Sequence, residues 1–275
     1  MNSHPSSDRP LILVSNDDGI QAPGVRRLID FLLPLGDIIC VCPLHPQSGM
    51  SMAITVNTPL RITRMSDYRD VPMFAVNGTP VDCVKIARNS ILPRMPQMVV
   101  AGINHGSNAG INLLYSGTMG ATMEGCILGV PSVGFSLTNH SMDADFEPCR
   151  PFVTRIASDL LKHGLPSGIC LNVNIPDCKP APKEMKVVRQ CQTAWTDEYK
   201  EYADPAERPF YMLSGQFINH EPSRTDTDEW CMANGVVSVA PVEINRTPAI
   251  PGLRQTETSW TEAQLAMIKS WGLPS

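Results

Sequence analysis

Short apolar runs of strand length alternate with stretches of helical period through the first two-thirds of this chain, and that alternation leaves few folds open. Residues 11–15, 37–43, 73–76, 97–104, 131–137 and 168–176 are rich in Val, Ile, Leu and other apolar types, as strands buried on both faces require. Between them lie helical segments at 24–33, from Pro80 onward, at 117–130 and at 149–163. In the first of these the apolar positions 25, 28, 29, 32 and 33 share one face, and Pro80 stands at a favoured first helical position. Parallel neighbours need a crossover between them, so this order predicts an α/β chain with a mostly parallel sheet flanked by helices.

From about residue 178 the texture changes. Pro and charge rise, and strand-like stretches at 185–191, 209–218 and 235–244 follow one another without clear helices between them. This reads as a β-hairpin-rich extension that projects or pairs with another subunit. Residues 261–272 form a terminal amphipathic helix with Thr261 as its N-cap. The organisation expected is a flexible N-terminus at 1–10, a core at 11–178, and a hairpin-rich and helical part at 179–275.

Charge and cysteine usage narrow the function classes. The 22 Lys and Arg against 27 Asp and Glu, with no basic run, argue against a nucleic-acid-binding surface. Nine cysteines, an odd number with no C-x-x-C pair and several inside apolar runs, read as free thiols in a reducing compartment. No apolar stretch approaches the ~20 residues of a membrane span. "MNSHPSSDRP" lacks the apolar centre of a signal peptide. A cytoplasmic protein without a membrane partner is expected.

In a parallel sheet, ligands bind beyond the carboxyl ends of the strands. There the first strand delivers Asn16, Asp17 and Asp18, the second Ser48 and Ser51, and the fourth Asn104, His105, Gly106 and Asn108. Then come Ser116, Gly117 and Thr118 at a helix start. Adjacent carboxylates at the mouth of a core repel each other unless a cation lies between them. Two Asp, a Ser hydroxyl and an Asn carbonyl make an all-oxygen set suited to Mg²⁺ or Mn²⁺ rather than zinc, and the six histidines contain no H-x-x-x-H pair. Each piece also has an ordinary reading. "NDDG" can be a helix cap, Ser48 a turn residue, and Asn104 a residue tolerating left-handed backbone. "SGTMG" lacks the lysine of a P-loop and can be a plain capped helix start, although its N–H groups suit a phosphate. "NGTPVD" and Glu124 read as structural, and His105 as a loop histidine able to meet substrate. It is the coincidence of the loops at one sheet edge that favours a site.

The ordered motifs "SNDDGIQAPG", "PLHPQSGMS", "NGTPVDCV", "GINHGSNAGINLLYSGTMGATMEG" and "PSVGFS" closely resemble the SurE family, the survival-protein nucleotidases. The resemblance is dense over about 11–136 and returns in "TDTDEW" and "GVVSVAPV". It implies a Rossmann-like core and metal-dependent hydrolysis of nucleoside 5′- and 3′-monophosphates, with short polyphosphate a further substrate of some members. By resemblance one divalent ion per subunit, Mg²⁺ or Mn²⁺, falls to Asp17, Asp18, Ser48 and Asn104, with Asp17 or Asp18 also acting on the attacking water. The substrate and phosphate contacts fall to Asn16, Asn104, Gly106, Asn108, Ser116, Gly117 and Thr118. A homodimer or homotetramer that exchanges C-terminal elements is implied as well. Met119 stands where Val is usual and Ala240 where Thr is common, both away from the metal set. Two other classes compete. A phosphoaspartyl phosphatase would place its acids at D-x-D and trap a beryllofluoride on Asp17. A non-catalytic nucleotide-binding module would release no phosphate from AMP or GMP, with or without EDTA. No G-x-G-x-x-G follows the first strand, which argues against a dinucleotide cofactor.

Overall fold

Strand β1 (Leu11–Ser15) is buried along its whole length. In the computed structural model, which describes residues 8–247 and 260–272, it lies inside a nine-stranded sheet. The other members are β2 (Asp37–Pro43), β3 (Ile62–Arg64), β4 (Met73–Val76), β5 (Met98–His105), β6 (Ser132–Leu137), β7 (Ile169–Ile175), β8 (Met185–Val187) and β13 (Val237–Glu243). Their order is β3-β4-β2-β1-β5-β6-β7-β13-β8. From β4 to β7 every neighbouring pair is parallel, whereas β3 and β13 run antiparallel to β4 and β7. The remaining strands pair off as two small sheets. One joins β9 (Thr193–Thr196) to β12 (Gln216–Asn219), the other β10 (Tyr199–Ala203) to β11 (Pro209–Leu213).

Seven α-helices accompany these strands among the described residues: α1 (Pro23–Leu32), α2 (Pro80–Ile86), α3 (Asn112–Tyr115), α4 (Gly117–Ile127), α5 (Arg150–His163), α6 (Asp228–Ala233) and α7 (Glu262–Ser270). The period-two geometry of β1 sends alternate side chains into two cores. Ile12 and Val14 join Val25, Leu28, Ile29, Phe152 and Ile156 from α1 and α5. Leu13 joins Val84 and Ala121 from α2 and α4 on the other face. Helix α7 adds Met267 and Ile268 to the first core, as does Trp271 just beyond it, whose Nε1 donates to Asp159 Oδ2 at 2.8 Å. Thr79 and Asp82 make a reciprocal capping box at the start of α2, and Thr261 and Gln264 do the same for α7.

The expected strands and helices of the first two-thirds all form, with ends displaced by a residue or a few. Helix α4 stops at Ile127 because Gly129 takes φ +76° just beyond it. The later part departs more. Of 185–191 only Met185–Val187 is a strand, and 209–218 is two strands broken at Gly215, where φ is +131°. Helix α6 forms where no helix was expected, and β3, β9, β10 and α3 are short elements with weak periodicity. Strands β8 and β13 extend the main sheet, so it runs across the change of texture at 178. Of the expected flexible N-terminus, residues 1–7 lie outside the described residues.

Candidate metal and phosphate site

Strand order turns outward in opposite directions from β1 and β5, and the crevice at this switch point gathers the loops singled out above. Asp17 is buried directly beyond β1. Its Oδ1 accepts from Thr118 Oγ1 at 2.5 Å, and its main-chain oxygen accepts from Gln47 N–H at 2.7 Å. The first residue of α4 must be glycine for this approach. A Cβ on Gly117 would stand 2.8 Å from Asp17 Cβ and 3.1 Å from Gln47 O. Asp18 Oδ2 accepts from His105 N–H at 3.2 Å. Each acid therefore spends one oxygen on the protein. The main-chain N–H groups of Thr118 and of Asp17 itself also act on the Asp17 carboxyl, whereas the other oxygen of Asp18, Ser48 Oγ and Asn104 Oδ1 make no hydrogen bond within the described residues. Asn104 is oriented by its own Nδ2, which donates to Gly106 O at 2.9 Å.

The electrostatics ask for a positive partner. Burial pushes the Asp17 carboxyl from the usual 3.8 to about 6; the charge of Asp18 adds to this, and the Thr118 hydrogen bond opposes it. Burial also raises Asp18, with the His105 N–H pulling back. Among the described residues no Lys or Arg lines the adjoining cavity, and no three His, Cys, Asp or Glu side chains gather to hold an ion. The donors are thus two strained carboxylates with a neutral hydroxyl and a neutral amide, a set that fits a hard divalent cation.

The cavity has a volume of about 940 Å³. Asp17, Ser48, Asn104, Gly106, Asn108 and Ser116 line it; Asn16, Asp18, Gly117 and Thr118 are not part of its lining. Asn16 Nδ2 instead donates to Gly19 O at 2.9 Å, holding the turn that carries the acids, and its buried Oδ1 has no partner. Thr118 is fully buried against Asp17. Ser116 caps α4 by accepting from Met119 N–H at 3.0 Å, so the helix's partial positive end meets the cavity beside the acids. His105 also lines the cavity, with its Nδ1 at 2.9 Å from Ser141 O. Glu124 accepts from Lys85 Nζ at 2.8 Å and Ser51 Oγ donates to Leu114 O at 2.6 Å, both structural contacts.

Two groups escaped the sequence reasoning. The first holds the Asn108 loop. Asn174 Oδ1 accepts from Asn108 N–H at 2.7 Å, Asn172 Nδ2 donates to Asn108 O at 2.8 Å, and Asn108 Nδ2 donates to Ser136 Oγ at 2.8 Å. Asn172, Asn174 and Ser136 are fully buried. The detectable signal was a pair of asparagines, "LNVNIP", inside a run otherwise fit for a strand buried on both faces, because buried amides need partners. Asn174→Ala strands the Asn108 N–H and is expected to lower stability by ~1–3 kcal/mol, read from the urea midpoint.

The second group comes from the hairpins. Trp195, Tyr199, Leu213, Phe217, Glu229 and Met232 line the same cavity. Trp195 and Phe217 meet edge to face at 5.3 Å, and Trp195 Nε1 donates to Asn112 Oδ1 at 2.8 Å. The buried Asp228 accepts from Gly110 N–H at 2.9 Å and from Cys191 N–H at 2.8 Å. These contacts staple the loop after β5 to the late strands, which sequence periodicity cannot foresee.

The family model described as survival protein SurE matches residues 12–197. A relative named 5′-nucleotidase SurE, from Phocaeicola vulgatus, is 45% identical over 240 residues, 87% of this chain and 93% of that one. Its namesake from Christiangramia forsetii is 48% identical over 243 residues, with the same coverage of 87% and 93%. Among solved structures, the SurE protein from Aquifex aeolicus has a TM-score of 0.74 at 36% identity, covering 86% of this chain and 95% of that chain.

Proposed function

The chain belongs to the SurE family, and from that membership together with its site we propose that it is a divalent-metal-dependent phosphomonoesterase. Its substrates are nucleoside 5′-monophosphates, which it hydrolyses to nucleoside and phosphate. One observation carries the metal dependence: two neighbouring acids, both raised by burial, stand at a cavity that no lysine or arginine lines among the described residues. A phosphate dianion meets net repulsion there unless a cation intervenes.

Asp17, Asp18, Ser48 and Asn104 would hold one Mg²⁺ or Mn²⁺ per subunit. When bound, the ion supplies Lewis-acid polarisation of a phosphoryl oxygen. The protein's part is positioning. The N-terminal N–H groups of α4 and the Asn108 amide receive the other phosphate oxygens, and Asn172, Asn174 and Ser136 keep Asn108 from drifting. Water, oriented by a carboxylate oxygen of Asp17 or Asp18, attacks phosphorus in line with the ester bond, and the nucleoside leaves. We extend the proposal to 3′-monophosphates and short polyphosphate, supported by a cavity at the large end of small-molecule sites.

Phosphate release from AMP and GMP tests this reading. Activity in Mn²⁺ is expected to fall at least ~100-fold in excess EDTA and to return on adding metal; equal rates in EDTA would sink it. A second measurement follows from Asp17. Its folded-state value is raised, so its contribution to stability is full below the ordinary 3.8 and is lost as pH rises through about 6. Metal-free protein should lose Tm across that window, and the rise in Tm produced by Mn²⁺ should grow over the same range.

We further propose a homodimer or homotetramer that exchanges C-terminal elements. Its support is the β10–β11 hairpin, which leaves Tyr199, Phe210, Tyr211, Met212 and Leu213 exposed. A cytoplasmic location is proposed on the nine free cysteines. No helix among the described residues is long and apolar enough to cross a membrane.

A further inference from the structure

The cavity lining includes a half-buried acid, Glu229, that takes no part in holding metal or phosphate. Glu229 is the second residue of helix α6, directly after Asp228. Its backbone is fixed, because its N–H donates to Asp228 Oδ1 at 2.9 Å. Its carboxylate makes neither a hydrogen bond nor an ion pair within the described residues. Half-buried, it is pushed up to about 7 by desolvation, with the Asp228 charge acting in the same direction. An acid kept this way is poorly satisfied by the protein and stands to gain from a ligand that brings N–H donors.

Its surroundings describe such a ligand. Trp195, Phe217, Tyr199 and Met232 line the same cavity as Glu229, and the Trp195 ring is held by Asn112. Aromatic faces and edges of this kind accept a flat heterocycle. Asp17 and Ser116, the N-cap of α4, line the same cavity, so a phosphate held beside them leaves the rest of the molecule within reach of these side chains. Glu198, also in the lining, is exposed on the turn between β9 and β10, whereas Glu229 is the half-buried carboxylate.

Building on the nucleotidase reading, we propose that Glu229 reads the base and makes guanine nucleotides the preferred substrates. Guanine presents N1–H and a 2-amino group side by side, and a carboxylate accepts both at once. Adenine presents the lone pair of N1 beside its 6-amino group, so one oxygen of the ionised carboxylate is repelled where guanine would bond, whereas the protonated acid can pair with adenine; the discrimination therefore belongs to the ionised form, above about 7. Sites built to hydrogen-bond a substrate group discriminate strongly against analogues that lack it.

The test compares kcat/KM for GMP, AMP and ribose 5-phosphate in wild type and Glu229→Gln, all in Mn²⁺ at ~pH 8.5, above the value of about 7 at which Glu229 ionises. Ratios within one preparation cancel any loss of folded protein. The GMP-to-AMP ratio is expected to exceed ~10 in wild type and to fall at least ~tenfold in Glu229→Gln, whose amide can pair with adenine. Glu229→Asp, which retracts the charge, should lower the ratio too. A wild-type ratio near unity, or a ratio unchanged within about twofold in Glu229→Gln, overturns the proposal. Ribose 5-phosphate carries no base and checks the phosphomonoesterase reading separately. If wild type cleaves none of the three esters, that reading fails. Calorimetric affinities for guanosine and adenosine then decide Glu229 by the same ratio.

Discussion

Asp17→Asn and Asp18→Asn are each expected to lower kcat/KM for a nucleoside monophosphate by ~10³-fold or more at saturating Mn²⁺. Each acid has one oxygen engaged by the protein, Asp17 with Thr118 and Asp18 with the His105 N–H. An asparagine oxygen can keep either bond, so the local structure survives while the charge disappears. The same substitutions give opposite signs in two other measurements. In EDTA at neutral pH, Tm should hold or rise, because burial already disfavours the anion at Asp17 and Asp18 adds repulsion. In Mn²⁺, the stabilisation that wild type gains should be largely absent. Near-normal turnover in both variants would remove the metal role. A collapse of Tm in EDTA would instead mark the acids as structural.

Gly102→Ala is expected to cost about 3 kcal/mol or more of stability and to weaken Mn²⁺ binding together with it. Gly102 has φ +120°, outside the range of ordinary residues, and its Cβ would stand 2.3 Å from Phe135 O in the neighbouring strand β6. Backbone cannot retreat there without breaking the β5–β6 ladder. The ladder already shifts register between Ala101 and Asn104, and that irregularity aims Asn104. Gly129→Ala is the control. It also sits at positive φ, +76°, but a Cβ there meets nothing within 4 Å. It should cost only ~1 kcal/mol and leave metal affinity unchanged. Urea midpoints and Mn²⁺ titrations on both variants separate the two effects. Equal losses would show that backbone conformation, rather than the clash with β6, is the cost.

Which parts of this molecule can be read without its coordinates follows the range of the forces involved. The parallel strands and their helices are written in local patterns. Leu11–Ser15 can be buried throughout only as a central strand, and α1 shows its apolar face at helical spacing. The hairpins resist such reading because their residues are largely exposed, as in β10 and β11, and burial imposes no period on them. Gly215 and α6 are local events settled by neighbours distant in sequence.

The candidate site divides in the same way. Two adjacent acids at the end of a buried strand announce a need for positive charge from residue types alone, since like charges at that separation repel wherever the chain goes. Residue types also suffice to mark Ser48, Asn104 and the α4 start as oxygen-bearing loop positions at one sheet edge. Only the tertiary structure decided how the rest divides: Thr118 serves Asp17 from behind, Asn16 holds a turn, and Asn172 and Asn174 grip the Asn108 loop from inside the sheet. It alone brought Trp195 and Glu229 into the lining of the cavity that Asp17 enters. The physical reason is that hydrogen bonds and burial act over a few ångströms of space, whereas all of these partners except those of the Asn16 turn lie tens to over a hundred residues apart along the chain, where composition and periodicity carry no trace of contact.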